Sequence, residues 1–537
     1  MFLNHNAKKS VALAGLVLSC GMATAQAGNW LMSGGDVERS GWNKDESKLT
    51  KQNVKGMKLL WTVQTDVYPQ ALHTLMDPLV VQNVPMPGGP AEMVYILGVG
   101  DTMYAIDSNT HKIAWQKKWT YTVPTPPVAL LPDGTPRPQQ PQPSDTKHYN
   151  FLNPKGSTDV PAIGEPDASG VRPIYVVDGG GNLHIMSDVT GEDLKPAIKM
   201  GTTSKFALQL YKDQIIIAGG GGIFSTYISG PDYGKITTSS GFGGGGGLWG
   251  RRGPVITSDG TVWTTTGDGL VDLSNPDNLI IGNSVVGFAK TNGSWKVKNW
   301  FTPPNWDWLR RRDLDPNNTP TSFTWKGKEW MAASGKECRL YLLDPKNPGG
   351  PDHMEPAFKT PLICNEAVDF ASAGSWGAVS SWEAKDGTRW VLVPFWGAKH
   401  SQMKFPITNT PETKEGGVAA FKLIEKDGKP AFDPIWVSRD MFRGEPPIIA
   451  NGMVFTWGSG DDTSQVWPDI GLNFDSTNRV LTAKHATLYV LDAETGKELW
   501  SSGDIMTSFN HFTSVTVANG KAYLSTYDGK VYCFGLS

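Results

Sequence analysis

A hairpin-like segment near the C-terminus, residues 488–500, is the feature that most constrains the fold. Its sequence, LYVLDAETGKELW, begins with apolar residues that alternate between two faces, the period-two pattern of a β-strand. Asp492, Thr495 and Gly496 then favour a tight turn, and a second strand ends at Trp500. One such hairpin fits many folds, so its recurrence along the chain is what restricts them.

The hairpin pattern recurs along the chain. Residues 103–115 (MYAIDSNTHKIAW) place Asp107, Thr110 and Trp115 at the matching positions. Further copies, some of them weaker, occupy residues 183–194, 286–295, 340–344, 418–436 and 531–535. A β-rich run precedes each copy of the hairpin. An eighth run is followed only by a degenerate copy. The eight runs are residues 93–100, 173–181, 214–222, 261–269, 329–336, 389–397, 453–460 and 521–529.

These repeats predict an all-β chain folded as an eight-bladed β-propeller of four-stranded antiparallel blades, because repeated small sheets are typical of propeller blades. The last repeat lacks an outer strand. Residues 59–65 (LLWTVQT) form a spare strand, so we expect them to close the ring by pairing with the C-terminal blade. A β-sandwich with appendages is the alternative architecture.

Composition adds limits on function. A chain of 537 residues suggests about three domains by length alone. The repeats instead allow one propeller to occupy residues 28–537. The net charge of −3 comes without a basic face, so no nucleic-acid partner is expected. The high counts of glycine and proline, 61 and 38, suit a fold with many turns.

Residues 1–27 are predicted to be a signal peptide rather than part of the fold. Lys8 and Lys9 precede an apolar run at residues 11–18, and Ala25-Gln26-Ala27 is a small-residue cleavage site. The run is too short to span a bilayer, so the protein is not expected to be transmembrane. It is expected in the periplasm or secreted. The alternative is a lipoprotein anchored through Cys20.

The cysteines bear on redox chemistry. Cys338 and Cys364 fall in one predicted blade and are the expected disulfide pair, whereas Cys533 lies in an apolar strand and is expected to be a buried free thiol. The sequence contains no CxxCH, so no c-type haem is expected. Electrons removed from a substrate would therefore pass to a separate periplasmic acceptor.

Residues 29–66 (NWLMSGGDVERSGWNKDESKLTKQNVKGMKLLWTVQTD) resemble the N-terminal segment of the pyrroloquinoline quinone (PQQ) propeller family. The hairpin repeat is similar to the tryptophan-docking motif of that family, so the resemblance in pattern covers residues 29–537. The family includes alcohol and sugar dehydrogenases and non-catalytic scaffolds of outer-membrane assembly. The resemblance therefore implies the fold, and it implies a function only by analogy.

One face of a propeller collects the loops that lead into the innermost strands and the loops that join the second and third strands. The sequence places chemically capable residues on that face. They are His73, Trp249, Arg251, Arg252, Asp268, Lys336, Trp376, Trp396, His400, Arg443, Glu445 and His511.

Several of these residues match the quinone site of the family. Trp249 resembles the tryptophan on which the flat quinone rests, and Lys336 resembles the cation that contacts the quinone oxygens. Arg251 and Arg252 are candidates to bind the carboxylates of PQQ. Trp376 and Trp396 are further aromatic candidates for cofactor contact.

The calcium site of the family is matched only in part. Family dehydrogenases hold calcium beside the quinone through a glutamate, an asparagine and an aspartate, and the aspartate is also the general base. Asp268 occupies the asparagine position, but the base position falls at Asn305, which cannot accept a proton. Asp307 or Asp268 is then the candidate base. No glutamate occurs in residues 218–229, where the third ligand is expected.

Three histidines suggest a different site. His73, His400 and His511 are all expected at one mouth of the channel, where three imidazoles could bind zinc, copper or iron. The alternative is that each histidine satisfies loop backbone or faces solvent.

Two long aromatic-rich loops, residues 124–151 and 299–318, favour a small-molecule pocket. Within the second loop, Asp313 and Asp315 follow three arginines and are interpreted as part of a solvated charged loop.

Three functions remain open. The first is a periplasmic quinoprotein-like oxidoreductase that acts on an alcohol or sugar hydroxyl, with Asp307 or Asp268 as the base and Lys336 at the quinone. The second is a binding or scaffold propeller without catalysis. The third is an enzyme that uses a metal held by the three histidines, with Asp268 as a further oxygen ligand.

Overall fold

The computed structural model describes residues 28–69, 73–120, 159–204, 206–219, 221–244, 246–366, 373–464 and 476–537. The predicted signal peptide with Cys20 and the loop at residues 124–151 lie outside the described residues.

Short strands account for nearly all the regular structure. The exceptions are a 3₁₀ turn (Val54–Gly56) and the helices α1 (Trp306–Arg310) and α2 (Ser476–Thr482). In chain order the strands are β1 (Trp42–Asn43), β2 (Lys58–Gln64), β3 (Leu79–Met86), β4 (Gly89–Gly98), β5 (Thr102–Asp107), β6 (Lys112–Lys118), β7 (Ala162–Ile163), β8 (Pro173–Val177), β9 (Asn182–Ser187), β10 (Asp193–Lys199), β11 (Gln209–Tyr211), β12 (Gln214–Gly219), β13 (Gly222–Tyr227), β14 (Ile236–Thr238), β15 (Phe242–Gly244), β16 (Leu248–Trp249), β17 (Val255–Ile256), β18 (Val262–Thr266), β19 (Val271–Asp272), β20 (Leu279–Ile281), β21 (Val285–Thr291), β22 (Ser294–Phe301), β23 (Thr321–Trp325), β24 (Lys328–Ala333), β25 (Tyr341–Leu343), β26 (Phe358–Lys359), β27 (Ser380–Glu383), β28 (Arg389–Trp396), β29 (Ile407–Thr408), β30 (Gly416–Lys426), β31 (Lys429–Val437), β32 (Ile448–Ala450), β33 (Met453–Gly458), β34 (Thr487–Asp492), β35 (Glu498–Ser501), β36 (Thr516–Ala518), β37 (Lys521–Ser525) and β38 (Lys530–Gly535).

The strands form small antiparallel sheets in chain order. Of the nine sheets in the described residues, eight contain four consecutive antiparallel strands and the ninth is a three-stranded side sheet of β15, β19 and β20. Three of the eight have a fifth strand, which is β1 on β32, β17 on β18 or β29 on β31. The four-stranded orders are β3-β4-β5-β6, β7-β8-β9-β10, β11-β12-β13-β14, β16-β18-β21-β22 (with β17 also on β18), β23-β24-β25-β26, β27-β28-β30-β31, β32-β33-β34-β35 and β36-β37-β38-β2. The predicted all-β propeller class is confirmed.

Neighbouring sheets meet through the predicted tryptophan docking. The indole N–H of Trp436 donates to Ala493 O at 3.0 Å, on the turn of the following sheet. Gly496 closes that turn with φ of +70°, and a Cβ there would lie 2.6 Å from Trp436 Cδ2. The hairpin therefore needs glycine at position 496 for two reasons: the backbone has a positive φ, and the indole of Trp436 leaves no room for a Cβ. Trp115 makes the same contact between the first two four-stranded sheets, since its indole N–H donates to Asp188 O at 3.1 Å.

The innermost strands succeed one another around the axis, and β36 of the last sheet lies against β3 of the first. The N-terminal strand β2 pairs antiparallel with β38, so the last sheet gains its outer strand from the other end of the chain. The assignment of residues 28–537 to one eight-bladed domain stays a prediction.

Cys338 and Cys364 form a disulfide with Cα atoms 5.5 Å apart, and Cys533 is a buried free thiol, as predicted. Within the described ranges no helix is long and apolar enough to cross a membrane.

Candidate functional site

Lys336 lies at the centre of the candidate site, on the loop that follows β24. Its side chain is buried, and its Nζ is 2.8 Å from Asp315 Oδ1 and also pairs with Asp313. The same ammonium lies 4.6 Å from the ring centroid of Trp376. Gly335 makes the approach to the aspartate loop feasible, because a Cβ there would lie 2.6 Å from Asp315 O.

Asp268 joins the two aspartates beside Lys336. Asp268 lies on the loop between β18 and β19, whereas Asp313 and Asp315 lie on the loop that leads into β23. One carboxylate oxygen of each of the three lies within 4.8 Å of the others. In the part of the chain that the structure describes, this is the one group of three such side chains close enough to hold a metal ion.

The charges of this group are strongly coupled. Burial, reinforced by the charges of Asp315 and Asp313, raises the pKa of Asp268 to about 9. Burial also raises the pKa of Asp315, although the Lys336 ammonium opposes the effect. Burial disfavours the charge of Lys336, but the two aspartates outweigh it and raise the lysine pKa. The raised pKa of Asp268 means that three negative charges beside one ammonium are unfavourable, and that a proton or a bound cation would relieve them.

The oxygen atoms present fit a hard cation. Asp268 Oδ1 is buried and has no hydrogen-bond partner. Calcium and similar ions take carboxylate oxygens in preference to nitrogen or sulfur. The three aspartates therefore provide oxygen ligands of the kind that such an ion binds, from two loops of neighbouring sheets.

A small aromatic cavity adjoins this carboxylate group. Trp249 is partly exposed and lies 5.6 Å from Phe206, ring centroid to ring centroid. Trp376 stacks on Trp396 at 4.7 Å, so Trp396 supports the wall from behind. The residues that line the cavity are Phe206, Trp249, Arg251, Asn317, Trp376, Gly377 and Phe512.

The two predicted arginines have different roles. Arg251 lines the cavity, pairs through Nη1 with the buried Glu445, and lies 4.8 Å from the Phe512 ring. Its Nη2 is buried and has no hydrogen-bond partner, so it can donate to an anionic group in the cavity. Arg252 is fully buried and donates to Ser380 Oγ and Pro447 O, both at 2.9 Å. Arg252 therefore holds protein segments together instead of facing the cavity.

The predicted base Asp307 lies outside this group. It is exposed on α1 and pairs with Arg310 and Arg311 at 2.7 and 2.8 Å, as expected for helix neighbours three and four residues apart. The interpretation of Asp313 and Asp315 as a solvated loop is wrong, since Asp315 is only 1% exposed. A signal was present in the sequence: the two aspartates flank a leucine, and uncharged polar residues follow them into an inner strand.

The predicted three-histidine site is not formed. His73 and His511 are close, with ring centroids 5.0 Å apart. His400 lies elsewhere, on the loop after β28, where its Nδ1 accepts the backbone N–H of Gln402 at 3.1 Å. His511 shares a hydrogen bond with the buried Asp461, a residue that the sequence did not single out.

Comparisons with known proteins place the fold. The structure is similar to a quinohemoprotein alcohol dehydrogenase from Comamonas testosteroni (14% identity, TM-score 0.55, covering 95% of this chain and 81% of that one). It is also similar to a europium-containing methanol dehydrogenase (13% identity, TM-score 0.55, covering 95% of this chain and 99% of that one). A third similar structure is a quinohemoprotein alcohol dehydrogenase from Pseudomonas putida HK5 (12% identity, TM-score 0.53, covering 95% of this chain and 80% of that one). No family model matches this sequence, and no curated protein does. The chain thus has the fold of the PQQ-repeat β-propellers.

Proposed function

We propose that the protein is a quinone-dependent oxidoreductase that acts on an alcohol or sugar hydroxyl, with a hard cation bound by Asp268, Asp313 and Asp315. The observation that carries this proposal is the position of the carboxylate group, beside the buried Lys336 and next to an aromatic cavity. A scaffold propeller has no need to gather one buried and two partly buried carboxylates around a buried lysine, because poorly compensated charge inside a protein is costly.

The cation is calcium or a trivalent lanthanide. Both are hard ions that bind carboxylate oxygens. Once the cation has displaced the proton of Asp268, the three carboxylates carry more negative charge than Lys336 neutralises, which favours the ion of higher charge. One of the structurally similar proteins is a europium-containing methanol dehydrogenase, which supports the same choice.

The chemistry of the residues beside the cation suits PQQ, although the cavity, about 10 Å³ in volume, would have to widen to admit it. Trp249 would hold its flat face by stacking, Lys336 would face its oxygens, and Arg251 Nη2 would bond a carboxylate. When bound, the quinone supplies the acceptor for two electrons from the substrate. Arg252, Trp396 and the histidines are not needed for this arrangement.

The chain itself would handle the substrate proton. Asp313 is the more accessible partner of Lys336, with 27% of its side chain exposed against 2% for Asp315. Its carboxylate can accept the hydroxyl proton of a substrate at the cavity, while Lys336 stabilises the charge that develops. Phe206, Trp376 and Phe512 limit the access of water. We propose export to the periplasm, where a separate acceptor would take the electrons.

A quinone titration tests the proposal. PQQ is added to the purified protein with calcium or lanthanum, and its absorbance is followed. We expect a saturable spectral change that Trp249→Ala weakens at least about tenfold, because the indole face is lost. Trp308→Ala, at an exposed position on α1, is the control and should leave binding unchanged. The absence of quinone binding would overturn the proposal and favour the scaffold.

A further inference from the structure

The N-terminal residues 30–43, here called the central strap, bond to the innermost strands of the propeller. The strap reaches the innermost strand, or the residue beside it, in all eight four-stranded sheets. The hydrogen bonds join Trp30 to Val80 (2.8 Å), Leu31 to Ile163 (2.9 Å), Arg39 to Leu208 (2.7 Å), Val37 to Ile256 (3.0 Å), Glu38 to Ser322 (3.2 Å), Ser40 to Ser381 (2.9 Å), Gly41 to Ile449 (2.7 Å) and Asn43 to Val517 (2.8 Å).

The strap contains a buried arginine that main-chain oxygens surround. Arg39 is fully buried and donates to Pro254 O at 3.0 Å, Leu208 O at 2.7 Å and Ser33 O at 2.5 Å. Burial lowers the pKa of this guanidinium to about 9. Removal of Arg39 would leave three buried carbonyl groups without a donor, which is costly.

Gly41 fixes the closest approach of the strap. It has φ of +65°, and a Cβ there would lie 2.6 Å from Arg252 Nη1 and 2.7 Å from Ser380 Oγ. The strap thus packs directly on Arg252, whose neighbour Arg251 lines the cavity.

The strap also spans the junction of the first and last sheets. Ser33 Oγ donates to Asp77 Oδ2 at 2.7 Å, and the other oxygen of Asp77 accepts from Ser514 N at 2.7 Å. Asp77 precedes β3, and Ser514 precedes β36.

The register of these contacts relates the strap to the cavity. On four of the inner strands, the residue that bonds to the strap lies five positions after a residue that lines the cavity. The pairs are Arg251 and Ile256, Asn317 and Ser322, Trp376 and Ser381, and Phe512 and Val517. Because the inner strands of a propeller run in one direction along the axis, the strap lies at one level directly below the cavity.

We propose that the central strap is the floor of the candidate site: it closes the channel below the cavity and fixes the height of the loops that line it. A ligand therefore enters and leaves by the opposite face alone. Arg39 and Gly41 are positioning residues, since they act through the inner strands and do not reach the cavity. The proposal holds whichever ligand the cavity binds.

Hydrogen exchange of the full chain, followed by mass spectrometry, tests this role. In Gly41→Ala and in Arg39→Met, we expect amides in residues 249–256, 313–322 and 511–518 to exchange at least about tenfold faster, with outer strands unchanged. Ser33→Ala is a milder variant that should loosen residues 73–80 and 511–518 if the others fail to fold.

Two control variants separate this effect from non-specific destabilisation of the fold. Arg389→Met removes a buried arginine whose hydrogen bonds go to Thr324 and Glu383 and not to the strap, and Gly428→Ala alters another glycine of positive φ, on the hairpin between β30 and β31. Both should accelerate exchange only around their own turns. Faster exchange confined to residues 28–45 in the strap variants, or no change at all, would overturn the proposal. Neither result depends on quinone or metal binding.

Discussion

Lys336 is a buried cation that holds two carboxylates close together. Lys336→Gln would leave Asp313 and Asp315 without their counter-charge. Removal of one partner from a buried ionic group costs about 3 kcal/mol or more. We expect the free energy of unfolding in urea to fall by that amount. Lys328→Gln, which breaks an exposed pair with Asp344, should cost less than about 1 kcal/mol. Equal losses in the two variants would contradict the central role of Lys336.

The buried carboxyl group of Glu445 makes the stability of the folded protein depend on pH. Burial, partly offset by Arg251, raises the pKa of Glu445 from 4.5 to about 7. The folded protein therefore binds more protons at this site than the unfolded chain between these pH values, so stability falls as the pH rises through them. Glu445→Gln cannot ionise. The stability of the wild type relative to this variant should fall by roughly 3 kcal/mol from pH 4 to pH 8.

Chemical unfolding at several pH values measures that difference. Glu412→Gln removes an exposed glutamate and should give a pH profile parallel to the wild type. A Glu445→Gln profile parallel to the wild type as well would show that the carboxylate is not held in a desolvated site.

Residue identity alone located part of the site. Trp249, Asp268, Lys336 and Arg251 were predicted from local motifs, and the structure brings them to one region. Asp307 was not a base at the site because it lies on helix α1, where its carboxylate pairs with Arg310 and Arg311, and motif spacing does not reveal such a helix. Burial of Asp315 depends on Lys336 from another loop, a contact that no local pattern encodes.

At the scale of the hairpin, glycine and tryptophan act as a pair. Gly496→Ala would place a Cβ against Trp436 and strain a φ of +70°. We expect a loss of about 3 kcal/mol in unfolding free energy, from the strained backbone together with overpacking. Gly428→Ala is a matched control, since φ is +73° but no atom lies within 4 Å of the added Cβ. It should cost only about 1 kcal/mol. Equal losses would mean that the docked indole adds nothing.

The strands were the most predictable elements. Period-two apolar runs and turn residues located the repeats, because each strand buries one or both faces against its neighbours. The side sheet of β15, β19 and β20 carries little such pattern, since it is short and partly exposed. The strap was also missed, because most of its bonds run from backbone to backbone, and the side-chain bonds of Ser33, Arg39 and Asn43 go to distant residues that no local pattern indicates.

At the scale of the whole molecule, two N-terminal segments tie the chain ends together. β2 completes the last sheet, and the central strap bonds the inner strands. The pairing of residues 59–65 with the last sheet could be anticipated because an incomplete repeat needs a partner strand. Fold likeness to alcohol dehydrogenases at 12–14% identity does not extend to substrate, so the site must carry the functional argument.

The measurement that bears most directly on the proposed function is terbium binding, detected by luminescence sensitised through nearby tryptophans such as Trp376. We predict saturable emission that calcium or lanthanum displaces. Asp315→Asn and Asp268→Asn should weaken the affinity at least about tenfold, because each removes a charged oxygen ligand. Asp307→Asn should bind terbium as the wild type does. No saturable emission, or an equal loss in Asp307→Asn, would contradict the carboxylate site.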